Sequence, residues 1–310
     1  MKTHRHKPEG AQRASDDRLV RLTALLAICV AVIMVAMKGF AWFITGSVAL
    51  LGAFLDAIMD LSLSVMNFFV IRHAQTPADR EHRFGHGKAE ALAALAQASF
   101  LSLLAAYLIY ESALALSDPE PIDESLVGIG IILVSIFLTL GLVFVQKRVA
   151  KATQSVAIEA DSAHYEADLY MNLAIIVTLV LSGQSGLPHI DPLLGLVVAG
   201  LMANSARQVF ISAGNQLMDR ELDETQRAEI KHIILSHPLV RGLHDLRTRR
   251  AGTNIFIQCH IELDGDISLN QAHRISDAVE AQVMAAFPTA EVMIHQDPEG
   301  HEELTPLERS

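Results

Sequence analysis

The chain has 310 residues, 51% of them hydrophobic and 19% charged, with a mean hydropathy of +0.33, which is too apolar for an ordinary soluble protein and excludes a disordered chain. A net charge of −11 argues against nucleic acid as a partner, because phosphate binding needs a basic face. The two cysteines, Cys29 and Cys259, lie far apart and exclude a disulfide framework or a Cys-rich zinc module, so any metal site must use His, Asp and Glu.

In chain order, a basic tail (1–17) precedes six apolar segments at 22–44, 47–71, 91–116, 126–145, 155–181 and 192–211, each long enough to cross a hydrocarbon core as a helix of roughly 20 residues. The first is too long for a signal peptide and lacks a small-residue cleavage site, so it is retained as a helix. Lys and Arg concentrate in the tail, in the 72–90 loop (Arg72, Arg80, Arg83, Lys88) and in the 146–154 loop (Lys147, Arg148, Lys151). The loops at 45–46, 118–124 and 182–191 have none, which puts both termini in the cytoplasm.

Composition changes after Ile211. Residues 214–310 hold 17 Asp+Glu against 9 Lys+Arg, a net of −8, leaving −3 for residues 1–213. This acidic part reads as a helix over 223–236 with Asp223 as N-cap, strands at 243–249 and 253–263, a helix opening at Ser268 with Gln271 as its capping-box partner, and a strand at 291–296. The second strand alternates strictly, with Ile255, Ile257, Cys259, Ile261 and Leu263 on one face and His260 on the other. The expected fold is a membrane all-α bundle of six transmembrane helices (18–213) plus a C-terminal cytoplasmic α+β domain (214–298) of order helix–strand–strand–helix–strand. The tails 1–17 and 299–310 fall outside both, the first expected to be disordered.

A charged side chain at mid-bilayer costs about 2.5 to 3.5 kcal/mol on insertion scales, so intramembrane carboxylates need a reason. The second span carries Asp56 and Asp60 and the fifth carries His164 and Asp168. Each pair is spaced i, i+4 and shares one helix face. Facing each other, the pairs supply three carboxylates and one imidazole, a donor set suited to a tetrahedral divalent cation such as Zn²⁺. A packing or salt-bridge network, with Lys38 as a partner, and a metal-free proton relay are the competing readings. Asn67, Asn172 and Tyr165 read as interhelical hydrogen bonders, and Lys38 is left without a role.

The segments Asp56-Ala-Ile-Met-Asp60, Ala78-Asp-Arg-Glu-His-Arg-Phe-Gly-His-Gly-Lys-Ala-Glu90, Ala160-Asp-Ser-Ala-His-Tyr-Glu-Ala-Asp168 and Ile294-His-Gln-Asp-Pro298 resemble the cation diffusion facilitator family, and the likeness spans about residues 17–298. The resemblance implies a homodimeric transporter that exchanges metal for protons, with Asp56, Asp60, His164 and Asp168 as the transport site and zinc or cadmium as the cargo. It implies a loop site at Asp79, His82 and His86, a spacing that on its own is equally compatible with solvated loop residues. It also implies a dimer-interface site at His244, His260, His295 and Asp297, with His273 contributing through water and Gln296 reaching in from the partner subunit. Lys88 and Asp219 match an interlock between the membrane and soluble parts. His73, Glu81, Glu299 and the tail histidines His4, His6 and His301 read as surface residues.

The expectation is therefore a bacterial inner-membrane exporter of Zn²⁺, with Cd²⁺ and Fe²⁺ as further cargo and protons as counter-ion. Its partners are a second copy and the lipid bilayer, with no nucleic acid and no obligate protein partner. It is not an enzyme, since no bond of a substrate is made or broken. The competing function is a membrane-anchored metal sensor without transport, but a sensor has no use for a four-ligand site at mid-bilayer.

Overall fold

The computed structural model describes residues 9–45, 48–116, 126–185 and 189–300, which divide into two compact units, Arg18–Gly214 and Asn215–Ser310 with Met1–Asp17. The larger is built on six helices, α1 (Glu9–Thr45), α2 (Val48–Ala74), α3 (Lys88–Ala115), α4 (Leu126–Thr153), α5 (Val156–Ser185) and α6 (Ile190–Leu217). Among the described residues, five of them are long and apolar enough to cross a membrane, and the exception is α5. That helix carries Glu159, Asp161, His164, Glu166 and Asp168, and it packs against α2, α3 and α4. Five apolar helices with a polar sixth in contact with three of them make the membrane domain a six-helix bundle. Its interior is lined by small residues, among them Ala27, Ala57, Ala94, Ala98 and Ala157, which let the backbones approach closely.

The helices outrun the apolar segments, because hydropathy reports only the part matched to lipid while helical hydrogen bonding continues into water through good helix formers such as Glu, Arg and Lys. The α1 helix begins at Glu9, so the second half of the tail expected to be disordered is helical, and Asp17 Oδ1 accepts a hydrogen bond from Thr253 Oγ1 at 2.9 Å. The loop expected over 182–191 shrinks to the few residues between Ser185 and Ile190. His4, His6, His301, Gly46 and the 118–124 loop lie outside the described residues.

The smaller unit contains α7 (Glu224–Leu235), β1 (Gly242–Ala251), β2 (Asn254–Leu263), α8 (Leu269–Ala286) and β3 (Ala290–Pro298). Both helix starts have the expected caps. Asp223 Oδ1 accepts from the Gln226 backbone N–H at 2.8 Å, and Ser268 and Gln271 close a capping box. The sheet order is β1-β2-β3, with β1 antiparallel and β3 parallel to β2. The hairpin turns on Gly252, whose φ of +60° is left-handed, and α8 makes the crossover that the parallel pair requires. Ile255, Ile257, Cys259, Ile261 and Leu263 are buried against Ile230 and Ile234 of α7 and Ile275, Val279 and Val283 of α8. Each large aliphatic side chain so buried is worth about 1.5–3 kcal/mol, so this core holds the small domain together. Phe256, on the face expected to be polar, is also buried, with the Arg249 guanidinium 4.5 Å above its ring.

Candidate functional site

Among the described residues, three clusters of His and carboxylate side chains bring one donor atom from each member within 4.8 Å of the others: Asp60, His164 and Asp168; Asp79, His82 and His86; and His244, His260 and Asp297.

The first lies in the membrane domain between α2 and α5. His164 Nε2 is 3.1 Å from Asp60 Oδ1 and 3.9 Å from Asp168 Oδ2, so one ring nitrogen faces both carboxylates. Asp56 stays outside this tight group but lines the same cavity of about 370 Å³, together with Lys38. Below the site the helices are joined by polar contacts: Ser64 and Tyr165 hydroxyls hydrogen-bond at 2.7 Å, and the Asn67 amide donates to the Ala157 carbonyl at 3.4 Å. Asp60, Ser64 and Asn67 recur along one face of α2, so these bonds set its register against α5.

One residue of this region is missing from the sequence reading. Asp161, one turn before His164, is 2% exposed and accepts from Gln146 Nε2 of α4 at 2.6 Å, with Asn67 as a further partner. The rule that intramembrane carboxylates need a reason singles it out as well; its partners on α4 and α2 are separated in sequence and leave no spacing signal. Lys147 of α4 pairs with Glu166 of α5, and at the helix ends Ser155 Oγ donates to Glu90 Oε2 at 2.6 Å, tying the first turn of α3 to the start of α5.

The loop cluster is shaped by its backbone. Asp79 Oδ1 accepts from the backbone N–H groups of Glu81 (2.8 Å) and His82 (2.6 Å), and the loop closes at Gly85, which takes φ +79°. These two donors, that of His82 foremost, hold the Asp79 carboxyl below the usual carboxylate range. Asp79 Oδ1 is 3.4 Å from His82 Nδ1, and its Oδ2 is 3.3 Å from His86 Nε2. Thr76, which the spacing did not single out, orients His86. Its hydroxyl donates to the His73 carbonyl at 2.6 Å and therefore accepts from His86 Nδ1 at 3.0 Å, so Nε2 is the ring nitrogen that faces Asp79. His73 and Glu81 are exposed, though the His73 ring lies 4.8 Å from that of His86.

In the soluble domain, register does the assembly. His244 pairs with His260 across β1 and β2, and His260 with His295 across β2 and β3. Asp297 is the hub: its Oδ2 is 2.9 Å from His260 Nδ1 and 3.2 Å from His244 Nε2, and its Oδ1 is 3.2 Å from His295 Nε2. Both His244 ring nitrogens are buried, with Nε2 facing Asp297 and Nδ1 3.3 Å from Glu262 Oε1, and neither contact has hydrogen-bond geometry. A register shift between His244 and Arg247, with Asp245 at φ +46°, brings Asp245 Oδ2 to 4.0 Å from His260 Nε2. Bulges commonly re-aim side chains in this way beside functional sites, and alternation alone does not reveal them.

His273 does not join the cluster. It is 70% exposed on α8, which covers the apolar face of the sheet, and its ring is 3.6 Å from Asp277. Gln296 also points to the α8 side, donating to Ser276 Oγ at 2.7 Å. Asp219 lies 3.2 Å from Arg249 Nη1, and Lys88 begins α3.

Residues 24–218 match the family model described as the cation efflux transmembrane domain, and residues 222–299 match that of the cation efflux protein cytoplasmic domain. Among curated relatives, the cation-efflux pump FieF of Shewanella oneidensis is 44% identical over 287 residues, covering 93% of this chain and 97% of its own. That of Yersinia enterocolitica is 44% identical over 281 residues, covering 91% and 93%. Among solved structures, CzrB in its Zn form is 33% identical over 28% of this chain and 99% of its own, with a TM-score of 0.26.

Proposed function

The chain belongs to the cation efflux family, also called the cation diffusion facilitators, and from its site geometry we propose that it exports Zn²⁺ from the cytoplasm in exchange for protons. Cd²⁺ and Fe²⁺ are further cargo by the same donor chemistry, since carboxylate oxygens and one imidazole accept several divalent ions of similar size. The transport site is Asp56, Asp60, His164 and Asp168. The observation that carries this reading is the position of His164 Nε2, facing Asp60 at 3.1 Å and Asp168 at 3.9 Å. A nitrogen so placed either holds a proton shared with the carboxylates or turns its lone pair to a metal. It cannot do both, so loading one cargo expels the other.

The soluble cluster fits a different task. Asp297 offers both oxygens to imidazoles, a bridging arrangement suited to two ions, while His295 is 65% exposed and free to serve an ion shared with a second copy. In this reading the soluble domain binds cytoplasmic zinc and stabilises the homodimer. Asp79, His82 and His86 form a further zinc site at the membrane surface. Both termini face the cytoplasm of a bacterial inner membrane, following the basic loops.

Zinc flux into sealed proteoliposomes, with and without an imposed pH gradient, tests the proposal. Flux that rises with an opposing proton gradient and stops in Asp168→Ala supports it. Binding without flux would make the protein a sensor, and flux indifferent to the gradient would make it a uniporter.

A further inference from the structure

Lys38 has no place in the ligand set, yet it is 9% exposed and lines the same cavity as Asp56, Asp60, His164 and Asp168. It sits six residues before the end of the apolar span Ala14–Ile44, or about 9 Å along the helix axis, well inside the apolar stretch. Two packing features point its side of α1 inward. Met34, one turn earlier on the same face, is buried in the cluster that joins Ala57 of α2, Leu142 of α4 and Tyr165 of α5. The adjacent Gly39 is in close contact with Phe54 of α2: a Cβ there would lie 2.7 Å from the Phe54 ring, so only glycine allows this approach. The Phe54 ring is also stacked on Trp42 of α1 at 5.6 Å, which fixes α1 against the stretch of α2 that carries Asp56.

We propose that Lys38 is a fixed counter-charge that matches the transport cavity to a divalent cation. Three carboxylates, a neutral imidazole and one ammonium leave the cavity wall two charges negative, and one divalent ion brings it to neutrality. Without the ammonium the loaded cavity would keep a net negative charge inside the bilayer, where uncompensated charge is costly. The nearby Asp161 is not counted in this balance: it is absent from the cavity wall and is hydrogen-bonded by Gln146 and Asn67. The ammonium also repels the cargo. It thereby trades affinity for release, as a transporter must bind its ion firmly enough to load it and loosely enough to let it go.

The inference rests on the transport-site reading above, and the test separates the two. Initial rates of zinc uptake are measured over a range of zinc concentrations at fixed pH, in proteoliposomes holding the full-length chain with Lys38→Met, Lys38→Arg or Asp168→Ala. Removing a like charge from a low-dielectric cavity should tighten zinc binding by at least about tenfold. Lys38→Met is therefore expected to lower KM by about that factor and to lower kcat through slower release, while Lys38→Arg stays within about twofold of the wild type. An unchanged or raised KM in Lys38→Met overturns the counter-charge. Transport that survives in Asp168→Ala overturns the site itself, whatever Lys38→Met does. If Lys38→Met does not give a folded dimer, the double variant Lys38→Met/Asp56→Asn, which restores the net charge, decides. Recovery of the dimer supports charge matching, and failure of both means that the lysine stem is needed for packing and the proposal is wrong.

Discussion

Asp297→Ala in the isolated soluble domain, residues 215–300, isolates what the sheet cluster does. The fragment keeps its own core, since Ile257, Ile261, Val279 and Val283 are fully buried in a cluster on the face of β2 opposite His260. Without metal, the substitution removes one hydrogen bond to His260, which contributes on the order of 1–3 kcal/mol, and the domain stays folded. With metal the effect is larger. A ligand at 100 times its Kd stabilises the folded state by about 2.7 kcal/mol, and for a domain of this size each kcal/mol moves Tm by about 4–8 °C. Wild-type fragment should therefore gain about 10–20 °C on zinc addition at that excess, and Asp297→Ala, having lost the carboxylate that touches three imidazoles, should gain almost none. Calorimetry with and without zinc reads both numbers. A full zinc-induced rise in Asp297→Ala would show that the metal binds elsewhere, and unfolding of wild type on chelation would show that the metal is needed for the fold.

Three further outcomes follow from the geometry. Asp60→Ala and Asp168→Ala should each abolish zinc uptake by proteoliposomes while leaving the solubilised dimer intact on a sizing column; wild-type uptake by either would remove that residue from the site. In the loop, Asp79 is held ionised by its backbone donors, so its contribution persists above the ordinary carboxylate range and is lost only below it. Zinc affinity at this site should fall as pH drops, because protons compete with the metal for its ligands; an affinity independent of pH from about 8 to 5 would contradict the account, and Thr76→Val should weaken zinc there by about 10–100-fold. Burial pushes the Cys259 thiol up to about 12, so maleimide at pH 8 should not label it until the soluble domain is denatured, and rapid labelling of the folded domain would refute its core position.

The parts of the fold readable from the chain are those specified locally. Asp223, Ser268 and Gln271 announce their helices because a cap is a contact across three residues, and the alternation of Ile255, Ile257, Cys259 and Ile261 states which face is buried. Pairing of Asp60 with His164 is readable for a different reason, since two i, i+4 polar pairs in apolar spans have few other partners. The supporting residues are harder to see. Gln146 meets Asp161 across α4 and α5, Thr76 reaches His86 around a loop, and Asp245 turns toward His260 only because the strand bulges there. Each depends on tertiary approach and carries no periodic signal. His273 shows the converse: its expected contribution through water comes from the family resemblance alone, and within one copy α8 holds it away from the sheet cluster.

The central claim is that one set of groups holds either metal or protons. It is tested most directly by measuring zinc affinity, and the protons released per zinc bound, on the full-length protein in detergent with the loop and soluble sites removed by substitution. The account predicts that affinity falls steadily from pH 8 to 5.5, that binding releases protons, and that His164→Ala both weakens binding and flattens the pH dependence. Constant affinity across that range, with no proton release, would contradict the exchange of metal for protons even with the fold and the ligands as described.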